Sequence, residues 1–182
     1  VEHLFQDFLR DRYEMMAGSS AKGLDLPSVN TDIKVTSVVQ PQSSCPYRDS
    51  KQKIYGLGYN LIVFVYIKED DTKQKKGKLN FLSCTFVESS RTADYQTTTG
   101  LRAIIANNGN EDDIFAFLSD HRTPGDDVTL MNMAHEILKS PPKIGYLTIS
   151  HALQWRLQYS RIVALDETVD GITPIVKYNA KN

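Results

Sequence analysis

The stretch Gly23-Leu24-Asp25-Leu26-Pro27-Ser28-Val29-Asn30-Thr31-Asp32-Ile33-Lys34-Val35-Thr36 decides how this chain is read. Side chains alternate between the two faces of a strand, so Asp32 and Lys34 project together while Ile33 and Val35 turn towards a core. Leu24-Asp25-Leu26 reads as a second short strand. It joins the first through Pro27, which removes a ladder donor, and Asn30, which tolerates a tight turn. With the two runs side by side, Asp25 converges with Asp32 on one divalent cation, and Lys34 is left to handle a water or a phosphate oxygen.

The chain has 182 residues, 41% of them hydrophobic, and this size suggests one domain with a normal core. It has no run of eighteen apolar residues, and Val1-Glu2-His3-Leu4-Phe5-Gln6-Asp7 lacks the charged start and apolar middle of a signal peptide. The expectation is a cytoplasmic protein with no membrane partner. A valine rather than a methionine stands first, which leaves the N-terminal boundary open. Two cysteines, Cys45 and Cys84, are too few for a disulfide framework and form no CxxC pair, so both read as reduced thiols. A formal net charge of -1 excludes the basic coat that drives non-specific nucleic-acid binding, though not a local basic face.

Periodicity orders the rest of the chain. Leu4, Phe5, Phe8, Leu9, Arg12, Met15 and Met16 recur at helical spacing and predict an opening helix that ends near Gly18. The segment 40–48 reads as an irregular, proline-punctuated loop, and Ser50 as the cap of a helix reaching about Leu57. Residues 60–67 form a β-branched and aromatic run, the pattern of a strand buried on both faces, and 79–87 a second strand turned back at Gly77. Helices are predicted over 95–106, 112–118 and 128–138, with Pro141-Pro142 as a stop. Residues 144–149 suit a strand, and 152–165 a helix carrying Trp155.

Asp-x-Lys is a common tripeptide, and here it occurs three times, at Asp32-Ile33-Lys34, Asp49-Ser50-Lys51 and Asp71-Thr72-Lys73. Only the first has an apolar centre on a strand and an upstream acid on a neighbouring apolar run. The plain alternative is a hairpin with outward-facing charges. Phosphodiester hydrolysis is the chemistry that would use such a set, because the anionic phosphate repels hydroxide and cations must neutralise the developing charge. Asp25 and Asp32 offer the hard oxygens that Mg²⁺ prefers, and the Ile33 carbonyl adds another. Lys34 orients the attacking water or stabilises the pentavalent charge. His3, His121, His135 and His151 have no spacing that singles one out.

The order helix, Asp-bearing strand, Asp-Ile-Lys strand, helix, buried strand resembles the catalytic core of the PD-(D/E)xK nuclease superfamily. The block Gln40-Pro41-Gln42-Ser43-Ser44-Cys45-Pro46-Tyr47-Arg48, followed by Gln52 to Tyr59 and Leu61 to Tyr66, sharpens the resemblance to type II restriction endonucleases. It covers roughly residues 1 to 90. The proline follows Leu26 instead of preceding the aspartate, and the second acid is Asp where Glu is commoner.

The resemblance implies an α/β (α+β) fold with a mixed central β-sheet flanked by helices. It implies Mg²⁺-dependent cleavage of double-stranded DNA at a short sequence by a homodimer matching a palindromic site. Asp25, Asp32 and Lys34 take the motif's places, and Glu14 is the acid such enzymes often recruit from the preceding helix. A repair nuclease of the same superfamily and a non-catalytic DNA-binding subunit are the alternatives. For DNA contact the candidates are Gln40, Gln42, Ser43, Ser44 and Arg48, with Lys51, Lys53 and Arg91 as further contacts, since amides pair with adenine, Arg with guanine, and hydroxyls and lysines hold phosphates.

Overall fold

The computed structural model describes residues 1–14, 23–45, 48–150 and 155–177. Met15, Met16, Gly18, Pro46, Tyr47 and His151 of the expectations above lie outside them. The chain divides into two compact units, one of Val1–Ser43, Tyr59–Glu88 and Gln158–Asn182, the other of Ser44–Gly58 and Ser89–Leu157.

The first unit is built on a four-stranded sheet. Its strands are β1 (Thr31–Ser37), β3 (Asn60–Asp71), β4 (Lys76–Val87) and β7 (Ile172–Lys177), in the order β1-β3-β4-β7. β1 runs parallel to β3 with Ile33 opposite Ile62, while β3, β4 and β7 are antiparallel neighbours. β3 is central, as its composition predicts. Leu61, Val63 and Val65 are buried on one face, and on the other Phe64 packs edge-on against Phe5 of helix α1 (Glu2–Arg10), ring centroids 5.1 Å apart. The opening helix is therefore shorter than its periodicity suggests, and Arg12 to Glu14 lie beyond it.

Three further expectations in this unit change. Leu24-Asp25-Leu26 forms no strand; only Leu26 bridges to Thr31, across a 3-10 turn over Pro27–Val29 that closes with Asn30 in the left-handed region at φ 48°. The β3–β4 turn falls over 72–75, not at Gly77, which pairs with Asp70 inside the ladder. Lys75 takes the positive φ instead. Where a helix was expected over 152–165, Trp155–Gln158 forms strand β6 and, among the described residues of that span, only Ser160–Val163 is helical (α6), because Trp155 to Gln158 carry no apolar face of helical period. β7 was not anticipated.

The second unit is mainly helical. α3 (Tyr95–Ala106), α4 (Glu111–Asp120) and α5 (Asp127–Lys139) start where Asp94, Asn110 and Asp126 accept from backbone N–H groups three residues on. Ile54, Leu101, Ile114, Leu118, Leu130, Met133, Ala134 and Ile137 form their shared core. Ser50 is not the N-cap of α2 (Gln52–Tyr55), which begins after Lys51, and its hydroxyl donates to the Pro124 carbonyl. Gly56 ends α2 at φ +94°, where an added Cβ would stand 2.0 Å from the Ser89 oxygen. A second, three-stranded sheet has the order β2-β6-β5, with β2 (Gln42–Cys45) inside the expected loop and β5 at Thr148–Ser150. No helix among the described residues is long and apolar enough to cross a membrane.

Candidate active site

β1 is an edge strand, and its pleat decides what the site contains. Ile33 is buried in the core, while Asp32 and Lys34 share the other face, the Lys34 Nζ 2.7 Å from an Asp32 oxygen. The turn through Pro27 and Asn30 folds Asp25 back beside this strand, and one Asp25 oxygen accepts from the Ile33 N–H at 2.8 Å. That N–H points away from β3. Backbone N–H and C=O of one strand residue point the same way, so the Ile33 carbonyl also faces the open edge on which Asp25 lies.

The Asp25 carboxylate is thus bound to the backbone of the residue that follows Asp32. Burial holds Asp32 above its ordinary carboxylate value, reinforced by the Asp25 carboxyl and opposed by the Lys34 ammonium. The Lys34 ammonium supplies positive charge beside Asp32. Two hard oxygen donors, a carbonyl on the same edge and room at the open side fit a divalent cation of the Mg²⁺ class, which uses one or two carboxylates and keeps several waters. No cluster of three or more His, Cys, Asp or Glu side chains suited to a metal occurs among the described residues, so the donor set rests on this pair and the backbone.

Helix α1 enters the site through a residue that sequence reading missed. The Gln6 amide donates to the second Asp25 oxygen at 3.1 Å, so both oxygens of that carboxylate are held. Glu2, His3, Gln6, Arg10 and Asp25 line a cleft of about 390 Å³ along the helix. Gln6 carries no motif, and nothing in sequence spacing ties it to Asp25. Glu14, expected as the helix's contribution, is exposed beyond the helix end.

A family model described as type II restriction enzyme NspV matches residues 1–174. Type II restriction enzyme NspV of Nostoc sp. (strain ATCC 29411 / PCC 7524) is 48% identical over 179 residues, 98% of this chain and 81% of that protein. The chain belongs to the NspV family of type II restriction enzymes. It is thus an endodeoxyribonuclease, of a class that generally needs a divalent metal, and the match runs well past residue 90. No solved structure matches it.

Within this NspV-family chain the residues expected to touch DNA are placed very differently from one another. Gln40, Ser44 and Arg48 are exposed, and Gln42 and Ser43 half-buried on β2. The other three are engaged in the fold. Lys51 pairs with Glu136 at 2.5 Å, the Arg91 guanidinium donates to the Ile144 carbonyl at 3.1 Å, and Lys53 is buried, where desolvation lowers its ammonium pKa against the pull of Asp94. Lysine count on a helix could not show which ammonium was already committed. Burial pushes the Cys84 thiol up to about 11, which leaves it a poor nucleophile.

Proposed function

We propose that this restriction enzyme cuts double-stranded DNA at a short specific sequence with Mg²⁺ held by Asp25, Asp32 and the Ile33 carbonyl. The return of Asp25 onto the Ile33 N–H beside Asp32, with Lys34 2.7 Å from Asp32, is the observation that carries the reading. When bound, Mg²⁺ supplies positive charge against the phosphate and makes water acidic enough to attack at neutral pH.

The chain's own groups do the rest. Asp32 and Asp25 hold the ion, with Gln6 and the Ile33 N–H fixing the orientation of Asp25. The Lys34 ammonium orients the attacking water or donates to a phosphate oxygen whose charge grows in the transition state. Glu14, exposed past α1, is the further acid this reading keeps as a candidate. Gln40, Gln42, Ser43, Ser44 and Arg48 contact DNA, whereas Lys51, Lys53 and Arg91 keep the structural partners described above. In this reading 1–182 acts as one nuclease domain, in the cytoplasm, as a homodimer whose two-fold axis matches that of a palindromic site.

The test is digestion of plasmid DNA by the purified chain with Mg²⁺ or with a chelator, beside Asp32→Ala and Lys34→Ala variants shown to be folded. Discrete fragments from wild type with Mg²⁺ alone support the reading. Smeared products, or equal cutting by Asp32→Ala, overturn it.

A further inference from the structure

The catalytic strand continues into a second polar feature. Thr36 lies two residues past Lys34 and shares its face of β1. Its hydroxyl accepts from the Gln42 N–H at 3.0 Å and lies 3.4 and 3.3 Å from the carbonyls of Gln40 and Gln42, so the end of β1 fixes the backbone that follows it. A distant segment is tied to the same place. Tyr159, fully buried, donates its N–H to the Pro41 carbonyl at 2.8 Å, and its phenol lies 2.5 Å from the Ser43 hydroxyl. These tethers set Gln158 and Ser160 beside Gln40 and Gln42 around a cleft of about 190 Å³.

The lining is the informative part. Val39 and Pro41 are its remaining members, so the lining residues include three glutamines and a serine and none with an ionisable side chain. Without a cation it is no phosphate clamp, and without a carboxylate it is no metal site. A carboxamide offers one donor face and one acceptor face, the pattern that pairs bidentately with N6 and N7 of adenine in the major groove. We infer that this cleft reads an adenine of the recognition sequence, and that Gln158 and Ser160 are specificity-determining residues alongside Gln40 and Gln42. Ser160 completes the edge as a hydroxyl able to donate or accept.

The inference rests on the DNA-cutting reading above, and the experiment separates the two. A random-sequence DNA library is digested with Mg²⁺ by wild type and by Gln158→Ala, Gln158→Glu, Gln40→Ala and Asp32→Ala, and the fragment ends are sequenced. Gln158→Ala is expected to relax one A·T position by about 5- to 140-fold while other positions keep their preference. Gln158→Glu, which keeps the shape, shifts that position towards cytosine, whose amino group a carboxylate accepts. Unchanged site profiles in both Gln158 variants and in Gln40→Ala, or relaxation confined to a G·C position, overturn the inference. Cutting by Asp32→Ala at the wild-type rate would instead overturn the catalytic assignment, while the Gln158 profiles still decide the readout.

Discussion

Asp32-Ile33-Lys34 and Asp71-Thr72-Lys73 share a tripeptide pattern and have almost nothing else in common. On β1 the strand pleat puts Asp32 and Lys34 on one face, where they meet at 2.7 Å with a second carboxyl alongside. At the β3–β4 turn the chain curls, and one Asp71 oxygen instead accepts from the backbone N–H groups of Lys73 and Gln74, at 2.9 and 3.0 Å. Asp49 does the same for Lys51 at 2.8 Å. One oxygen of each turn aspartate is thus committed to the backbone of its own turn. Asp32, on the strand, meets a lysine ammonium and a neighbouring acid instead.

That difference sets the sizes of effect expected from matched substitutions. Asp32→Ala should lower single-turnover DNA cleavage by roughly a thousand-fold or more, as the loss of an ion worth several kcal/mol of charge stabilisation implies, with Asp71→Ala cutting at the wild-type rate. Lys34→Ala should cost about 10²- to 10³-fold in the same assay, the range for one donor to developing charge, with Lys73→Ala again silent. Gln6→Ala should cost about 10- to 100-fold in metal affinity or rate, the usual result of removing a ligand's outer support. Gln6→Glu should not restore it, since a carboxylate cannot donate to Asp25.

Protonation offers a gentler test. Burial raises Asp32 above its ordinary value, so cleavage should fall as pH drops through that raised value, because a metal ligand must be deprotonated. For stability the sign runs the other way. The folded, metal-free protein holds this proton more tightly than the unfolded chain, so its contribution is present at low pH and is lost as pH rises through the folded value. Asp32→Asn, which mimics the neutral acid, should therefore raise the midpoint of thermal unfolding of the metal-free protein at neutral pH and leave it unchanged at low pH. Asp71→Asn should show no such pH-dependent gain.

Much of this was legible because local rules and tertiary structure agreed. The segments 95–106, 112–118 and 128–138 read as helices and fold as such, and the run 60–67 announced a central strand. Asp25 was read as convergent for a partly wrong reason: a 3-10 turn and a single bridge at Leu26 bring it back, not a paired strand. Gln6, β7 and the Gln158 segment were not legible, since only packing between distant residues brings them to their places. Lys53 misled because a lysine is usually exposed, and only the structure shows this one buried.

The central claim is that the β1 pair, and neither turn aspartate, holds the divalent ion. Electron paramagnetic resonance titration of Mn²⁺ into the metal-free protein measures this without relying on cleavage. The account predicts one site per chain in wild type, in Asp49→Asn and in Asp71→Asn, weakened about tenfold or more by Asp25→Asn and by Asp32→Asn. Wild-type Mn²⁺ affinity in Asp32→Asn would contradict it.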